Sequence, residues 1–312
     1  MAGARELAVD MRETVVGLSY EGRVAVVTGA GGGLGRAHAL ELARRGAMVV
    51  VNDLGASLSG DGTDDGPAAL VVKEITAAGG TAVADTHSVA TVDGGQAIID
   101  TAIEAFGRVD VVVNNAGILR DKTFHNTGPD DVDPVLDVHL KGAFNVTRPA
   151  WIRFREQGYG RVVVTSSSAG FWGNFGQASY ASAKLALVGL IKVLAQEGRK
   201  YNINANAIGP VAATRMTAGF DNPLNEFLDP GHASAVVAYL GHESCSLSGE
   251  ILSVGGGRVA RVFLGVTQGY LNPTLSAEDV RDHLDQIFDD ANYATPGNSM
   301  DEVGILSSML GR

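Results

Sequence analysis

The stretch Arg23-Val24-Ala25-Val26-Val27-Thr28-Gly29-Ala30-Gly31-Gly32-Gly33-Leu34-Gly35-Arg36 decides the fold. Its apolar run 24–27 is β-branched, too short for a helix and ended by Thr-Gly, so it reads as a buried strand. The glycine-rich turn leads into a helix-favouring segment, 34–45, stopped at Gly46. A second apolar run, 48–51, ends in Asn52-Asp53. In this strand–turn–helix setting Gly29, Gly33, Leu34 and Gly35 are candidates for a phosphate cradle. Glycines let the backbone approach a pyrophosphate, and the helix N-terminus supplies unpaired N–H groups. Asp53 sits at the separation from Gly29 where a carboxylate accepts hydrogen bonds from a ribose diol. That carboxylate would repel a 2′-phosphate, and the loop 54–67 carries no Lys or Arg to neutralise one. NAD is therefore the expected cofactor rather than NADP.

The cycle repeats along the chain. Helices at 68–78, 96–106, 132–156 and 178–196 alternate with strands at 81–84, 109–113, 161–165 and 203–208, and a last strand is predicted at 250–254. Apolar strands alternating with helices predict an α/β fold, a Rossmann-type doubly wound parallel sheet covered on both faces. Residues 23–260 form this single domain, 1–22 a flexible N-terminal tail, and 261–312 a C-terminal extension packed on the core or on a partner subunit. One helix is expected in that extension, at 276–290, opening Ser-Ala-Glu-Asp in the manner of a capping box. The loop 54–67 has no apolar anchor after Leu58 and is expected to move. Pro149 should kink the long helix that contains it. Helix 178–196 is apolar nearly all round, which predicts burial on two sides and a homodimer or homotetramer.

Composition narrows the function. With 45% hydrophobic residues and a net charge of −11 the chain lacks the basic footprint of a nucleic-acid binder. Its single cysteine, Cys245, excludes an internal disulfide framework, and the seven scattered histidines contain no HExxH pair, so no metal site is expected. No run of 18 apolar residues predicts a membrane span. The first twenty residues do not read as a secretory signal, nor the last five as a peroxisomal address. A soluble, cytoplasmic protein is the expectation.

Tyr180-Ala181-Ser182-Ala183-Lys184 places a phenol and an amine on one helix face. Ser167 lies at the end of the strand before them, on the sheet edge where the glycine-rich turn also lies. A phenol with a pKa near 10 is a poor base at neutral pH; a nearby ammonium is expected to stabilise its phenolate, with the positive nicotinamide ring adding to that field. Taken together, the glycine turn, Asn114-Asn115-Ala116-Gly117, Ser167 and Tyr180-x3-Lys184 resemble the motif set of the short-chain dehydrogenase/reductases, over about residues 23–257. The resemblance implies that Tyr180 exchanges a proton with a substrate hydroxyl, that Ser167 orients the substrate oxygen, and that Lys184 also bonds the nicotinamide ribose. It further implies cofactor contacts from Asn115, Ala116, Gly117, Pro210 and Thr214. His139 stands where that family usually has Asn. A proton-shuttling role and a packing role for it both stay open.

Further stretches, among them 50–55, 115–121, 138–142 and 173–177, resemble one subgroup of the family. Its members are the (3R)-hydroxyacyl-CoA dehydrogenase parts of peroxisomal multifunctional β-oxidation enzymes. The implied substrate is a (3R)-3-hydroxyacyl-CoA, oxidised to the 3-oxoacyl-CoA by what looks like a stand-alone dehydrogenase. A steroid alcohol, handled by a 17β-type hydroxysteroid dehydrogenase, is the alternative. A non-catalytic dinucleotide sensor is more remote, since Ser167, Tyr180 and Lys184 are all present. Phe171, Trp172 and Phe175 are candidates to line an apolar substrate pocket. Arg120, with Lys122, is a candidate to meet coenzyme A.

Overall fold

The structure, a computed structural model, describes residues 17–57, 59–62, 66–212 and 224–311. Eight strands form one sheet in the order β3-β2-β1-β4-β5-β6-β7-β8. They are β1 (Val24–Thr28), β2 (Met48–Asn52), β3 (Thr81–Asp85), β4 (Val111–Asn114), β5 (Gly160–Thr165), β6 (Ile203–Pro210), β7 (Ile251–Gly255) and β8 (Arg258–Val262). All neighbours pair in parallel except β7 and β8. Sequence reading missed this antiparallel edge, and the expected domain boundary after residue 260 falls inside β8.

Strands β1, β2 and β4 are apolar without polar alternation along most of their length because both sheet faces are covered there. Ala25, Val27, Val49, Val51, Val111 and Val113 point into one core with helices α1 (Gly33–Arg44), α2 (Gly66–Ala77) and α8 (Pro230–Leu240). Their neighbours Val24, Val26, Val50 and Val112 point into the other, with α3 (Val92–Phe106), α5 (Gly142–Gln157) and α7 (Ala178–Gly198). The order of the sheet reverses between β1 and β4, so a crevice opens at the carboxyl ends of those strands, the usual ligand position in this architecture.

Several expectations need correction. The helix expected at 132–156 is a run of three pieces: α4 (Pro129–Leu136), a π-helical turn (Asp137–Lys141) and α5. Its irregularity lies at that turn, whereas α5 continues through a buried Pro149. Of the expected N-terminal tail, residues 1–16 lie outside the described residues, and 17–22 are anchored to the domain through Tyr20. Tyr20 is buried, and its hydroxyl donates to the Ala238 carbonyl at 2.6 Å while its N–H bonds the Arg45 carbonyl. The extension contains a short antiparallel pair, β9 (Val266–Thr267) with β10 (Tyr293–Ala294). The helix expected at 276–290 is α9 (Ala277–Asp282) and α10 (Leu284–Ile287); Ser276 and Asp279 do form the capping box. A final helix, α11 (Ser299–Met309), was not foreseen, and Phe288, Met300 and Val303 of this extension remain exposed.

The stretch Ala178–Tyr201 is long and apolar enough by composition alone to cross a membrane. Here it lies against the sheet, with Leu187, Val188 and Ile191 in the core and Lys184 buried.

His38 on α1 is fully buried and its Nδ1 lies 2.8 Å from the Ser234 hydroxyl of α8, while Nε2 has no partner. Burial lowers its pKa from 6.5 to about 3. The folded chain therefore holds it neutral where the unfolded chain would protonate it, so its stabilising contribution is complete above about pH 6.5 and is lost as pH falls toward 3. The unfolding free energy from urea titrations should drop between pH 7 and pH 5, by up to roughly 1.4 kcal/mol per pH unit for this group, and less steeply in His38→Gln; equal slopes would contradict the assignment.

Candidate active site

The crevice is a cavity of about 680 Å³ that brings together Gly29, Gly33, Leu34, Asp53, Asn115, Ala116, Gly117, His139, Ser167, Trp172, Tyr180, Lys184 and Pro210. Most come from the carboxyl ends of β1, β2, β4, β5 and β6 and from the first turns of α1 and α7, with His139 from the π-helical turn and Trp172 from a short helix after β5. The glycine-rich turn is shaped as a cradle. Gly29 has φ +63°, and a Cβ there would lie 2.7 Å from the Ala116 Cα, so only glycine lets the two backbones meet. Gly35 does not line the cavity. It sits behind the turn, where a Cβ would overlap the Gly29 carbonyl. Gly32 caps α1 with extended backbone and no side-chain bond, which leaves the helix N-terminal donors to the crevice.

A chain of hydrogen bonds runs from this turn to the amine. Asn115 donates through Nδ2 to the carbonyls of Thr28 (3.1 Å) and Gly29 (3.2 Å). The Thr28 hydroxyl accepts the N–H groups of Asn115 and Ala116. Thr165 at the end of β5 donates its hydroxyl to Asn115 Oδ1 at 3.3 Å, and its carbonyl accepts Lys184 Nζ at 2.6 Å. The next residue, Ser166, donates its hydroxyl to the Lys184 carbonyl at 2.8 Å. Lys184 is thereby held on both its backbone and its side chain.

Ser167 caps the short helix α6 (Ser168–Trp172), its Oγ accepting the Ala169 N–H at 3.2 Å, and its side chain also bonds Tyr180. The phenol faces the serine as the motif requires. Burial pushes Tyr180 above its ordinary value; the Ser167 hydrogen bond pulls it down and the Asp121 charge pushes it up. Lys184 Nζ lies 5.6 Å from the phenol ring centroid, and burial pushes this amine down from 10.5 to about 7. The buried amine is only partly charged near neutrality, so the protein's own groups keep Tyr180 a phenol rather than a phenolate.

The π-helical turn aims His139 at the same place. The ring is buried and packs edge-on against Tyr180 at 5.3 Å. Its Nε2 lies 2.8 Å from the Ile118 carbonyl and 3.0 Å from the Ile118 N–H, and its Nδ1 has no partner. Burial, with the Lys184 charge adding, holds its pKa well below 6.5. His139 and Lys184 also share a second, small cavity of about 10 Å³ with Thr28 and Asn114.

Asp53 lines the crevice with Oδ2 accepting the Gly31 N–H and Oδ1 the Gly55 N–H, each at 2.7 Å. Each oxygen keeps a lone pair for a diol. Arg120 is not where the sequence suggested. It bonds the Ser59 and Asp130 carbonyls and pairs with Asp61 at 3.1 Å, so it ties down residues 59–61 of the loop expected to move. Lys122 likewise pairs with Asp131 at 2.8 Å. Of the three aromatic candidates only Trp172 lines the cavity; Phe171 packs on the sheet beside Gly209, and Phe175 is 88% exposed outside it. Thr214 lies outside the described residues. Sequence reading assigned no role to Thr165, Asn174 or Gln177, although the last two sit in the quoted stretch 173–177.

Comparison with known proteins agrees with this geometry. The sequence profile of the family described as short chain dehydrogenase matches residues 23–224. The chain is 45% identical over 298 residues to mouse peroxisomal multifunctional enzyme type 2, covering 94% of this chain and 40% of that enzyme. It thus spans less than half of that relative. It is 39% identical over 260 residues to hydroxyacyl-CoA dehydrogenase ChsB1 of Mycobacterium tuberculosis, covering 77% of this chain and 80% of that protein. Among solved structures it is similar to a 7α-hydroxysteroid dehydrogenase complexed with NADH and 7-oxo glycochenodeoxycholic acid. The TM-score is 0.70 at 29% identity, over 77% of this chain and 95% of that one.

A buried amine pushed down to about 7 is held at a cost to the fold that a methionine of similar length would remove. Lys184→Met should raise the unfolding free energy of the cofactor-free chain at pH 7 by about 1 kcal/mol, seen as a raised denaturation midpoint, while turnover is lost. A lowered midpoint would show that the Thr165 hydrogen bond outweighs the desolvation of the amine.

Proposed function

We propose the activity from one premise: the chain belongs to the short-chain dehydrogenase family. It is a nicotinamide-dependent oxidoreductase acting on a secondary alcohol or the corresponding ketone. The observation that carries the finer reading is that Ser167, Tyr180 and Lys184 line the same cavity as the glycine cradle. In our reading the alcohol is a (3R)-3-hydroxyacyl-CoA and the product its 3-oxoacyl-CoA, as the name of the ChsB1 relative suggests.

The residues suit a bound dinucleotide. The Gly29–Gly35 turn and the open α1 N-terminus would hold the pyrophosphate, and Asp53 the adenosine ribose. Lys184 is the only Lys or Arg among the described residues lining the cavity, so a 2′-phosphate beside Asp53 would meet no cation there. This supports NAD over NADP. When bound, the nicotinamide supplies the hydride acceptor or donor and, when oxidised, a positive charge.

The chain's own groups handle the proton. Ser167 donates to or accepts from the substrate oxygen and holds it at the phenol. Tyr180 takes the hydroxyl proton as the phenolate during oxidation, becoming the phenol, and as the phenol gives a proton to the substrate oxygen during reduction. Since burial keeps it a phenol, the resting site favours donation, and the oxidative direction needs added positive charge nearby. Lys184 supplies part of that charge from its seat on Thr165. His139, neutral and with Nδ1 free, shares the small cavity with Lys184, and we place it at the outer end of the proton path. We also infer self-association through α5 and α7, because Phe144, Ile152, Leu185 and Val193 leave an exposed apolar strip on those helices. A steroid alcohol is the second reading, favoured by exposed Trp172 at the cavity wall.

Absorbance of NADH formed from matched (3R)- and (3S)-3-hydroxyacyl-CoA esters and from steroid alcohols decides between them. Turnover of the (3R) thioesters is expected, and activity on steroids alone would overturn the first reading. Tyr180→Phe should lower kcat by about 10³-fold with NADH affinity retained; substantial residual turnover would remove the phenol from its role. Asp53→Ala should shift the NAD-to-NADP ratio of kcat/KM by about tenfold or more toward NADP, and an unchanged ratio would contradict the assignment.

A further inference from the structure

Gln177 is 7% exposed, closes the turn before α7 and lines the cavity three residues ahead of Tyr180. Its Nε2 donates to Asp121 Oδ2 at 2.7 Å, and its Oε1 accepts from Asn174 Nδ2 at 2.9 Å. A carboxylate can only accept, so Asp121 dictates which way the amide faces. The oxygen is then turned to Asn174. One Nε2 hydrogen remains with no partner among the described residues, on a side chain held at both ends. Residues three apart at a helix start are neighbours, with Cβ atoms about 5–6 Å apart. Asn174 and Gln177 line the cavity together with Tyr180, and the Asp121 charge behind them also reaches the phenol.

We propose that Gln177 is a substrate-selecting residue whose free amide hydrogen binds a carbonyl oxygen located β to the reacting carbinol carbon. A 3-hydroxyacyl thioester offers that acceptor, one methylene from its alcohol carbon, while a lone secondary alcohol does not. With the hydroxyl held by Ser167 and Tyr180 and the carbonyl by Gln177, the substrate is fixed at two points and the carbinol hydrogen is oriented. A polar group preorganised in this way is left unpaired by an analogue lacking the acceptor, which is how such sites discriminate. Asp121 and Asn174 are positioning residues that act through Gln177. The inference rests on the alcohol–ketone chemistry proposed above and adds to it the recognition of the carbonyl.

The test measures kcat/KM with NAD for two compounds. One is the N-acetylcysteamine thioester of (3R)-3-hydroxyhexanoate; the other is a secondary alcohol of equal length with a methylene in place of the carbonyl. Gln177→Leu should lower the thioester-to-alcohol ratio by about tenfold, chiefly through KM of the thioester. Asp121→Asn, which frees the amide to turn over, should lower the ratio in the same direction by less. It should also move the basic limb of the pH profile downward, since the charge that raises Tyr180 is gone. An unchanged ratio in Gln177→Leu overturns the inference even if both rates fall. Wild-type turnover of the alcohol alone also overturns it while leaving the oxidoreductase reading intact, and turnover of neither compound overturns both.

Discussion

The site depends on one hydrogen-bonded side chain, Asn115. Its amide nitrogen holds the carbonyls of Thr28 and Gly29 at the mouth of the glycine turn, and its oxygen accepts the hydroxyl of Thr165, whose carbonyl holds the Lys184 amine. The half of the site that cradles a dinucleotide and the half that moves a proton come from opposite sides of the sheet's switch point. Asn115 stands between them at the end of β4 and bonds to both. This bridge also explains why the turn must be glycine at Gly29, whose backbone comes against Ala116, the residue after Asn115. A side chain there would push apart the two strands that the amide joins.

From that bridge the electrostatics follow. Fixing the Lys184 amine against a carbonyl inside the protein removes it from water and lowers its pKa to about 7. Burial raises Tyr180, so in the cofactor-free chain the amine by itself leaves the phenol protonated, and the rest of the expected field would come from the positive nicotinamide ring. Two groups moved toward their neutral forms are a resting state prepared for a positively charged partner. Proteins commonly store such strain at working sites and offset it elsewhere. Here the compensation lies in the two apolar cores that clamp the sheet from both faces.

Much of the architecture was legible because its causes are local. Val24–Thr28, Met48–Asn52 and Val111–Asn114 are buried on both faces, so their apolar runs stand out against their flanks. The glycine turn, Asp53, Ser167, Tyr180 and Lys184 were legible because their spacing is set by one turn or one helix. What stayed hidden is decided by distant partners. Tyr20 looks like part of a loose tail until Ala238, far along the chain, accepts its hydroxyl. Arg120 looks free to meet a ligand until Asp61 and two carbonyls claim it. Helix α8 carries weak periodicity because it is covered on nearly all sides, and β8 is an exposed edge without an apolar run. Gln177 gives no signal of its own, since its meaning comes from Asp121 arriving on another loop.

The central claim is that Asn115 holds the dinucleotide cradle and the proton-handling residues in one fixed arrangement. A crystal structure of the chain grown with NADH tests this most directly. The account predicts the cofactor along the Gly29–Gly35 turn, its reduced ring beside Ser167 and Tyr180, and the Asn115–Thr165–Lys184 bonds unchanged. A ring seated away from Tyr180, or a cofactor bound with Asn115 turned off the Gly29 carbonyl, would contradict it.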